Sequence, residues 1–212
     1  MEHRIIVAGI GPGSADYISP AARDAIANAR VLIGGRRALS QFATADQITF
    51  PITGDIQSSL DFIRSSLEYS DVVVPVSGDP GYYSMLDVLL RNFDRRSIEV
   101  IPSISAMQLA FARAKMPWHD ATLLSFHGRR PSDDDLKYRA GRVLGLLTDA
   151  RYNSQSISQL LLDMNYPPST RLTICARLSY PDESIVTTSL QTAARSEPIK
   201  HCILIVGGGD ND

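Results

Sequence analysis

Five consecutive apolar residues, Val72-Val73-Val74-Pro75-Val76, run without a polar interruption and stop at the turn Ser77-Gly78-Asp79-Pro80-Gly81. A strand with one wet face alternates polar and apolar side chains. One that does not alternate must be covered on both faces, the condition of a parallel strand beneath helices. The flanking sequence agrees. Arg4–Ala8, Val31–Ile33 and Ile98–Ile101 are further short strands, and Pro20–Asn28, a segment ending near Phe93 and Ser105–Ala114 have helical composition. Asp55–Leu67 places Ile56, Leu60, Ile63 and Leu67 on one helical face. Strands separated by helices imply right-handed crossovers and a parallel sheet.

The pattern breaks at Met116-Pro117-Trp118, because proline disfavours helix in the residue before it. A domain boundary is expected there, giving an N-terminal α/β domain over 1–118 and a C-terminal domain over 119–212. In the second half Ala121–Phe126, Arg142–Leu147, Arg171–Arg177, Ser184–Ser189 and His201–Val206 read as strands. Ser132–Arg139 and Ser154–Met164 read as helices, the latter turning Ile157, Leu160, Leu161 and Met164 inward. The short loop Ser179–Glu183 suits an antiparallel hairpin, so this sheet is expected to be mixed. The tail 207–212 is expected to fray.

Composition removes several classes of function. With 212 residues, 44% of them hydrophobic, the chain can build a sizeable core. No apolar run approaches the roughly 18 residues of a membrane span, and the start MEHRIIVAGIG passes directly into a strand, so neither span nor signal peptide is expected. A formal net charge of -2 gives no global field for nucleic acid. Cys175 and Cys202 sit in apolar strands without clustered ligands, which reads as core thiols in a reducing cytoplasm and no metal site.

Three turns carry the chemistry. Gly9-Ile10-Gly11-Pro12-Gly13 follows a strand and precedes a helix, as a dinucleotide loop does. However, Ser14 stands where close helix packing wants glycine, Pro12 has no N–H, and the second strand ends in Gly34-Gly35 rather than an acid. Arg36 and Arg37 keep an NADP-binding oxidoreductase among the alternatives. The turns Ser77–Gly81 and Pro102–Ser105 also follow strands of the same sheet, and loops at strand carboxyl ends form the usual ligand crevice of open α/β sheets. Each also has a plainer explanation: Asp79 before Pro80 as a turn former and Ser105 as a helix cap.

In order, GIGPGSADYIS, SGDPGYY and IPSISAMQLAFARAKMPW resemble the tetrapyrrole methylase superfamily. SFHGR at Ser125–Arg129, LLTD at Leu146–Asp149, SISQLLLDM and ARLSYPDESI at Ala176–Ile185 are similar to its CbiE-type branch, which methylates carbon 5 of precorrin-7 or cobalt-precorrin-7. The resemblance runs from Ile5 to about Gly207. It implies a two-domain class III α/β methyltransferase, with S-adenosyl-L-methionine held in the cleft between the domains, S-adenosyl-L-homocysteine as product, and a homodimer. Carried onto this sequence, it implies that Gly78, Asp79, Pro80 and Tyr82 line the cofactor pocket. Ser105 and Ala106 contact the donor's amino-acid or ribose part, Leu147, Thr148, Ala176 and Leu178 border adenine, and His201 approaches from the last strand. Gly11 and Pro12 border the corrinoid tetrapyrrole substrate. The close IKHCILIVGG departs from the branch, which weighs on His201 and on the dimer edge. Decarboxylation and methylation at carbon 15 are expected of a separate protein.

A sulfonium methyl is already an activated electrophile, so methyl transfer needs placement and water exclusion more than a triad. The substrate's many carboxylates suit Arg36, Arg37, Arg129 and Arg130, by bidentate contact, against the plainer reading of surface charge. His127 is the residue to test as a proton shuttle, with a turn histidine as its plainer reading. Asp149 either assists the cofactor or caps the following helix, and Glu183 is a hairpin residue first, with a role in the cleft second. Tyr82 and Tyr83 either stack on a flat ligand or pack as core aromatics. Within the superfamily, uroporphyrinogen, diphthine and ribosomal RNA methylation compete, and a non-catalytic module for adenosine ligands stands outside it. The acidic charge disfavours the RNA reading.

Overall fold

The first element of the computed structural model, which describes residues 3–208, is β1 (Ile5–Gly9). It is followed by α1 (Pro20–Ala27), β2 (Val31–Gly34), α2 (Arg36–Phe42), β3 (Ile48–Pro51), α3 (Ile56–Ser66), β4 (Val72–Val76), α4 (Leu86–Asn92) and β5 (Ile98–Ile101). The strands form one five-stranded sheet in the order β3-β2-β4-β1-β5, with every pairing parallel.

All five residues of β4 are buried, as an uninterrupted apolar run requires. On one face Val72 and Val74 join Ile5, Val7, Val31 and Ile33 beneath Leu60 and Ile63 of α3 and Leu89 of α4. On the other, Val73 joins Ala8 and Leu32 beneath Ala22 and Ile26 of α1 and Ala38 of α2. Each aliphatic side chain so buried contributes about 1.5–3 kcal/mol. The helices begin where the sequence supplies caps. Ser19 accepts from the Ala22 N–H at 3.2 Å with Pro20 in the first turn, and Asp55 accepts from the Ser58 N–H at 3.2 Å.

The remaining elements are α5 (Ala106–Arg113), β6 (Thr122–Ser125), α6 (Asp133–Leu136), β7 (Leu144–Leu147), α7 (Ser154–Asp163), β8 (Arg171–Ala176), β9 (Ser184–Ser189), α8 (Leu190–Ala193) and β10 (Ile203–Val206). Their sheet has the order β6-β7-β10-β8-β9, with β6 and β7 parallel and the other pairs antiparallel, the mixed sheet expected. Ile157 and Leu161 of α7 and Leu190 and Ala193 of α8 cover the face formed by Leu144, Leu146, Leu172, Ile174, Leu204 and Val206. Toward α5 the sheet presents Gly145, where a Cβ would stand 2.7 Å from Met107 Sδ, 2.8 Å from Leu123 Cδ2 and 2.9 Å from Phe111 Cε2, so these side chains pack directly on its backbone and would have to shift for any larger residue. With α5 packed in this way, the two compact units are Met1–Ser105 and Ala106–Asp212. That division precedes the Met116-Pro117-Trp118 interruption, after which the sequence places its boundary at 118/119.

Three elements were not anticipated. α2 buries only Ala38 fully, with Leu39 and Phe42 partly buried against the same core, so its seven residues carry a weak apolar pattern. β3 is an edge strand with Ile48 40% exposed, and Pro51 at its end is tolerated there. α8 is a single turn, capped by Ser189 accepting from the Thr192 N–H at 3.2 Å. Residues 209–212 of the expected frayed tail lie outside the described residues. No helix among the described residues is long and apolar enough to cross a membrane.

Candidate active site

Because β1, β2, β4 and β5 are parallel, the loops that follow them emerge at one rim of the first sheet. That rim collects Gly11 and Pro12, Arg36, the Gly78–Pro80 turn with Tyr82, and Ser105. The loops interlock. The Gly78 N–H donates to the Gly11 carbonyl at 2.8 Å, and the two glycines form an isolated antiparallel bridge. Gly11 has φ +76°, a left-handed conformation that glycine adopts without strain. At Gly9 a Cβ would stand 2.6 Å from Ser103 Cβ, 2.9 Å from the Gly78 carbonyl oxygen and 2.9 Å from Pro80 Cδ, so three loops meet over one missing methyl group.

Asp79 fastens this arrangement. Its Oδ1 accepts from the Gly81 N–H at 2.8 Å and its Oδ2 from the Ser103 N–H at 2.9 Å. Its first role is therefore to join the second and third loops, each charged hydrogen bond contributing about 1.5–3 kcal/mol where sheltered. Arg37, rather than Arg36, reaches this turn, donating to Ser77 Oγ at 2.7 Å. Arg36 is exposed in the first turn of α2. The Tyr82 and Tyr83 rings meet edge-on at 4.8 Å, with Tyr83 44% exposed and Tyr82 half-buried. The Tyr82 hydroxyl is buried without a hydrogen-bond partner among the described residues. Burial, reinforced by Tyr83, pushes its pKa above the usual phenol value, so it stays a neutral donor. Ser105 is buried and Ala106, half-buried, opens α5.

In the second unit, register brings the other anticipated residues to one rim. Leu147 lies beside Ser125 of β6 and Ile203 of β10, and Ile203 beside Cys175 of β8. The ends of β6, β7 and β8 and the start of β10 thus gather His127, Arg129, Leu147, Thr148, Ala176, Leu178 and His201. Thr148 is buried, its hydroxyl donating to the Cys202 carbonyl at 2.7 Å and accepting from the Cys202 N–H at 2.8 Å. That pair of hydrogen bonds stitches β7 to the residue preceding β10, so the hydroxyl's single donor is already used. Leu178 is buried between Arg177 (φ 54°) and Ser179 (φ 70°), and His201 has φ 50°. His127 and Arg129 are exposed, and the His127 N–H donates to Ser125 Oγ at 3.2 Å.

Asp149 does not cap α7. Asn153 and Ser156 do, by a reciprocal capping box. The Asp149 carboxylate instead accepts from the N–H groups of Tyr152 at 2.7 Å, Arg151 at 2.8 Å and Gly128 at 3.0 Å, tying the β6 loop to the β7 loop. These bonds, from Tyr152 and Gly128 first, hold its pKa below the usual carboxylate value. Glu183 holds the β8–β9 hairpin, accepting from the Ser179 N–H at 2.7 Å and pairing with Arg113 at 2.6 Å. Gly9, Ser103 and the Arg113–Glu183 pair were not singled out from sequence. Gly9 and Ser103 left a signal only as members of their turns, and Glu183 as a hairpin residue, while its pairing with Arg113 left none.

A family model described as Tetrapyrrole (Corrin/Porphyrin) Methylases matches residues 4–194. The cobalt-precorrin-7 C(5)-methyltransferase of Salmonella typhimurium is 34% identical over 155 residues, covering 73% of this chain and 76% of that relative. Among solved structures, the methyltransferase CobJ is similar with a TM-score of 0.80 at 20% identity, over 98% of this chain and 95% of its own. Uroporphyrin-III C-methyl transferase from Thermus thermophilus, solved with S-adenyl homocysteine, is similar with a TM-score of 0.75 at 20% identity, over 96% and 92%. Identities of this size make the structural likeness one of fold.

Proposed function

Since this chain belongs to the tetrapyrrole (corrin/porphyrin) methylase family, we propose that it transfers the methyl group of S-adenosylmethionine to carbon 5 of precorrin-7 or cobalt-precorrin-7. The observation that carries the reading is the likeness to the cobalt-precorrin-7 relative over three quarters of that protein. The rim of the first sheet supports it, because its loops are locked together from within and leave one buried hydroxyl, that of Tyr82, with hydrogen-bonding capacity to spare.

A sulfonium donor supplies an activated methyl electrophile, and its C–S electron pair leaves as a neutral thioether while an electron-rich ring carbon forms the new bond. The protein's share is placement and exclusion of water. In this reading Gly78, Asp79, Pro80, Tyr82, Ser105 and Ala106 hold the donor. Asp79 acts through the loops it fastens and Tyr82 as a neutral hydrogen-bond donor. Leu147, Thr148, Ala176, Leu178 and His201, carried over by resemblance, belong to the same proposal, Thr148 through its backbone. Gly11 and Pro12 border the substrate, and Arg36 and Arg129, both exposed, meet its carboxylates. His127 is the side chain assigned the departing proton.

Calorimetry with S-adenosylhomocysteine and with NADP tests the donor. Saturable binding of the first, followed by a gain of one methyl mass on the tetrapyrrole, is the expected result. Tight binding of NADP alone would remove the methyltransferase reading.

A further inference from the structure

At the end of the second sheet opposite the rim described above, a pocket of about 320 Å³ is lined by Tyr138, Arg139, Arg142, Tyr166, Thr170 and Arg171 among others. Arg171 opens β8, Arg142 lies just before β7 opens, and the pocket reaches Val206 where β10 closes. Thr148, Ala176 and Cys202 stand at the other ends of the same strands. Among the described residues the lining holds three guanidinium groups and no Asp or Glu. Two of its nitrogens, Arg142 Nε and Arg171 Nε, are buried without a hydrogen-bond partner among the described residues. Arg142 is also held in place, donating through Nη2 to the Lys137 carbonyl and to the Tyr166 hydroxyl, itself anchored to the Leu136 carbonyl at 2.8 Å.

Buried charged donors left unpaired are unfavourable, and grouped like charges deepen the deficit, so the missing element is an anion. A planar guanidinium presents paired N–H groups that fit the oxygens of a phosphate or carboxylate. The volume is near the lower end of small-molecule pockets, which suits a compact ligand and excludes a tetrapyrrole macrocycle. We propose that this pocket is a second ligand site, separate from methyl transfer, for a compact oxyanion of two or more negative charges, either a phosphate group or a small dicarboxylate. Arg171 and Arg142 hold its oxygens, and Arg139, exposed at the mouth, completes the charge.

Titration calorimetry of the full chain at constant ionic strength, with inorganic phosphate in one arm and succinate in the other, tests the site and separates the two sources. Saturable binding in at least one arm is expected. Arg171→Gln weakens it by about tenfold, the loss of one charged partner, while Arg171→Lys restores part of it. Arg139→Gln, altering an exposed side chain, gives the same direction of change should Arg171→Gln fail to fold. Affinity for S-adenosylhomocysteine stays at the wild-type value in the folded variants. Absence of saturable binding in both arms overturns the proposal, as does anion affinity unchanged by the substitutions or a parallel loss of donor affinity.

Discussion

Replacing Gly9 by alanine adds a single methyl group at the point where the rim loops converge. Its nearest neighbours would be Ser103 Cβ at 2.6 Å, the Gly78 carbonyl oxygen at 2.9 Å and Pro80 Cδ at 2.9 Å. None of these is the free end of a flexible side chain, so the loops themselves must move. Ordinary contact begins near 3.4 Å, so Ser103 must retreat by roughly 0.8 Å, against the Asp79 bond that holds its N–H at 2.9 Å. Overpacking of this kind costs about 1–3 kcal/mol. In a chain of this length each kcal/mol lowers the melting temperature by about 2–4 °C, so a fall of roughly 2–12 °C is expected. Displacing the loops proposed to hold the donor by such a distance should also weaken S-adenosylhomocysteine binding by about tenfold or more. Gly54→Ala is the control, because a Cβ there meets nothing within 4 Å. Thermal melting and calorimetry of both variants decide the matter. A Gly9→Ala protein that melts within about 1 °C of wild type and binds S-adenosylhomocysteine equally well would refute the reasoning.

Other expectations follow from single side chains. Thr148→Val breaks both bonds to Cys202 inside the core and should cost about 1–3 kcal/mol in urea denaturation, with Thr148→Ser recovering most of it. Asp79→Ala frees the Gly81 and Ser103 N–H groups, so it should weaken S-adenosylhomocysteine binding more than it lowers the melting temperature. The Ser179 N–H, then Arg113, lowers the Glu183 pKa in the folded protein, so its contribution to stability is complete above the ordinary value of 4.5 and declines as pH falls through the folded value. The stability gap between wild type and Glu183→Gln should accordingly shrink on acidification below about pH 4.5, and a gap that widens would contradict this sign. Cys175 and Cys202 are buried, and desolvation pushes the Cys175 thiol up to about 12, so disulfide reagents should label the native protein far more slowly than the unfolded chain.

The strands most legible in the sequence were those whose environment left a mark on their own residues. β4 carries the unbroken apolar run of a doubly covered strand, and β5 and β9 begin and end where the pattern places them. α2 and β3 left no such mark, the helix burying one residue and the strand lying at an edge. The rims were legible as locations, because turns following parallel strands must share an edge. What the side chains do there was not. Asp79 and Thr148 are polar residues in the right places, yet their oxygens are used within the fold by partners 24 and 54 positions away. The same limit hid Arg139, Arg142 and Arg171, which converge only because β7 and β8 flank β10.

The most direct test of the central claim is the position of the transferred carbon. Incubation with S-adenosylmethionine carrying a carbon-13 methyl group, together with precorrin-7 or cobalt-precorrin-7, followed by NMR of the purified product, should show one new labelled methyl on ring carbon 5. A label found at any other ring position, or no label in the tetrapyrrole while the donor binds, would contradict the account.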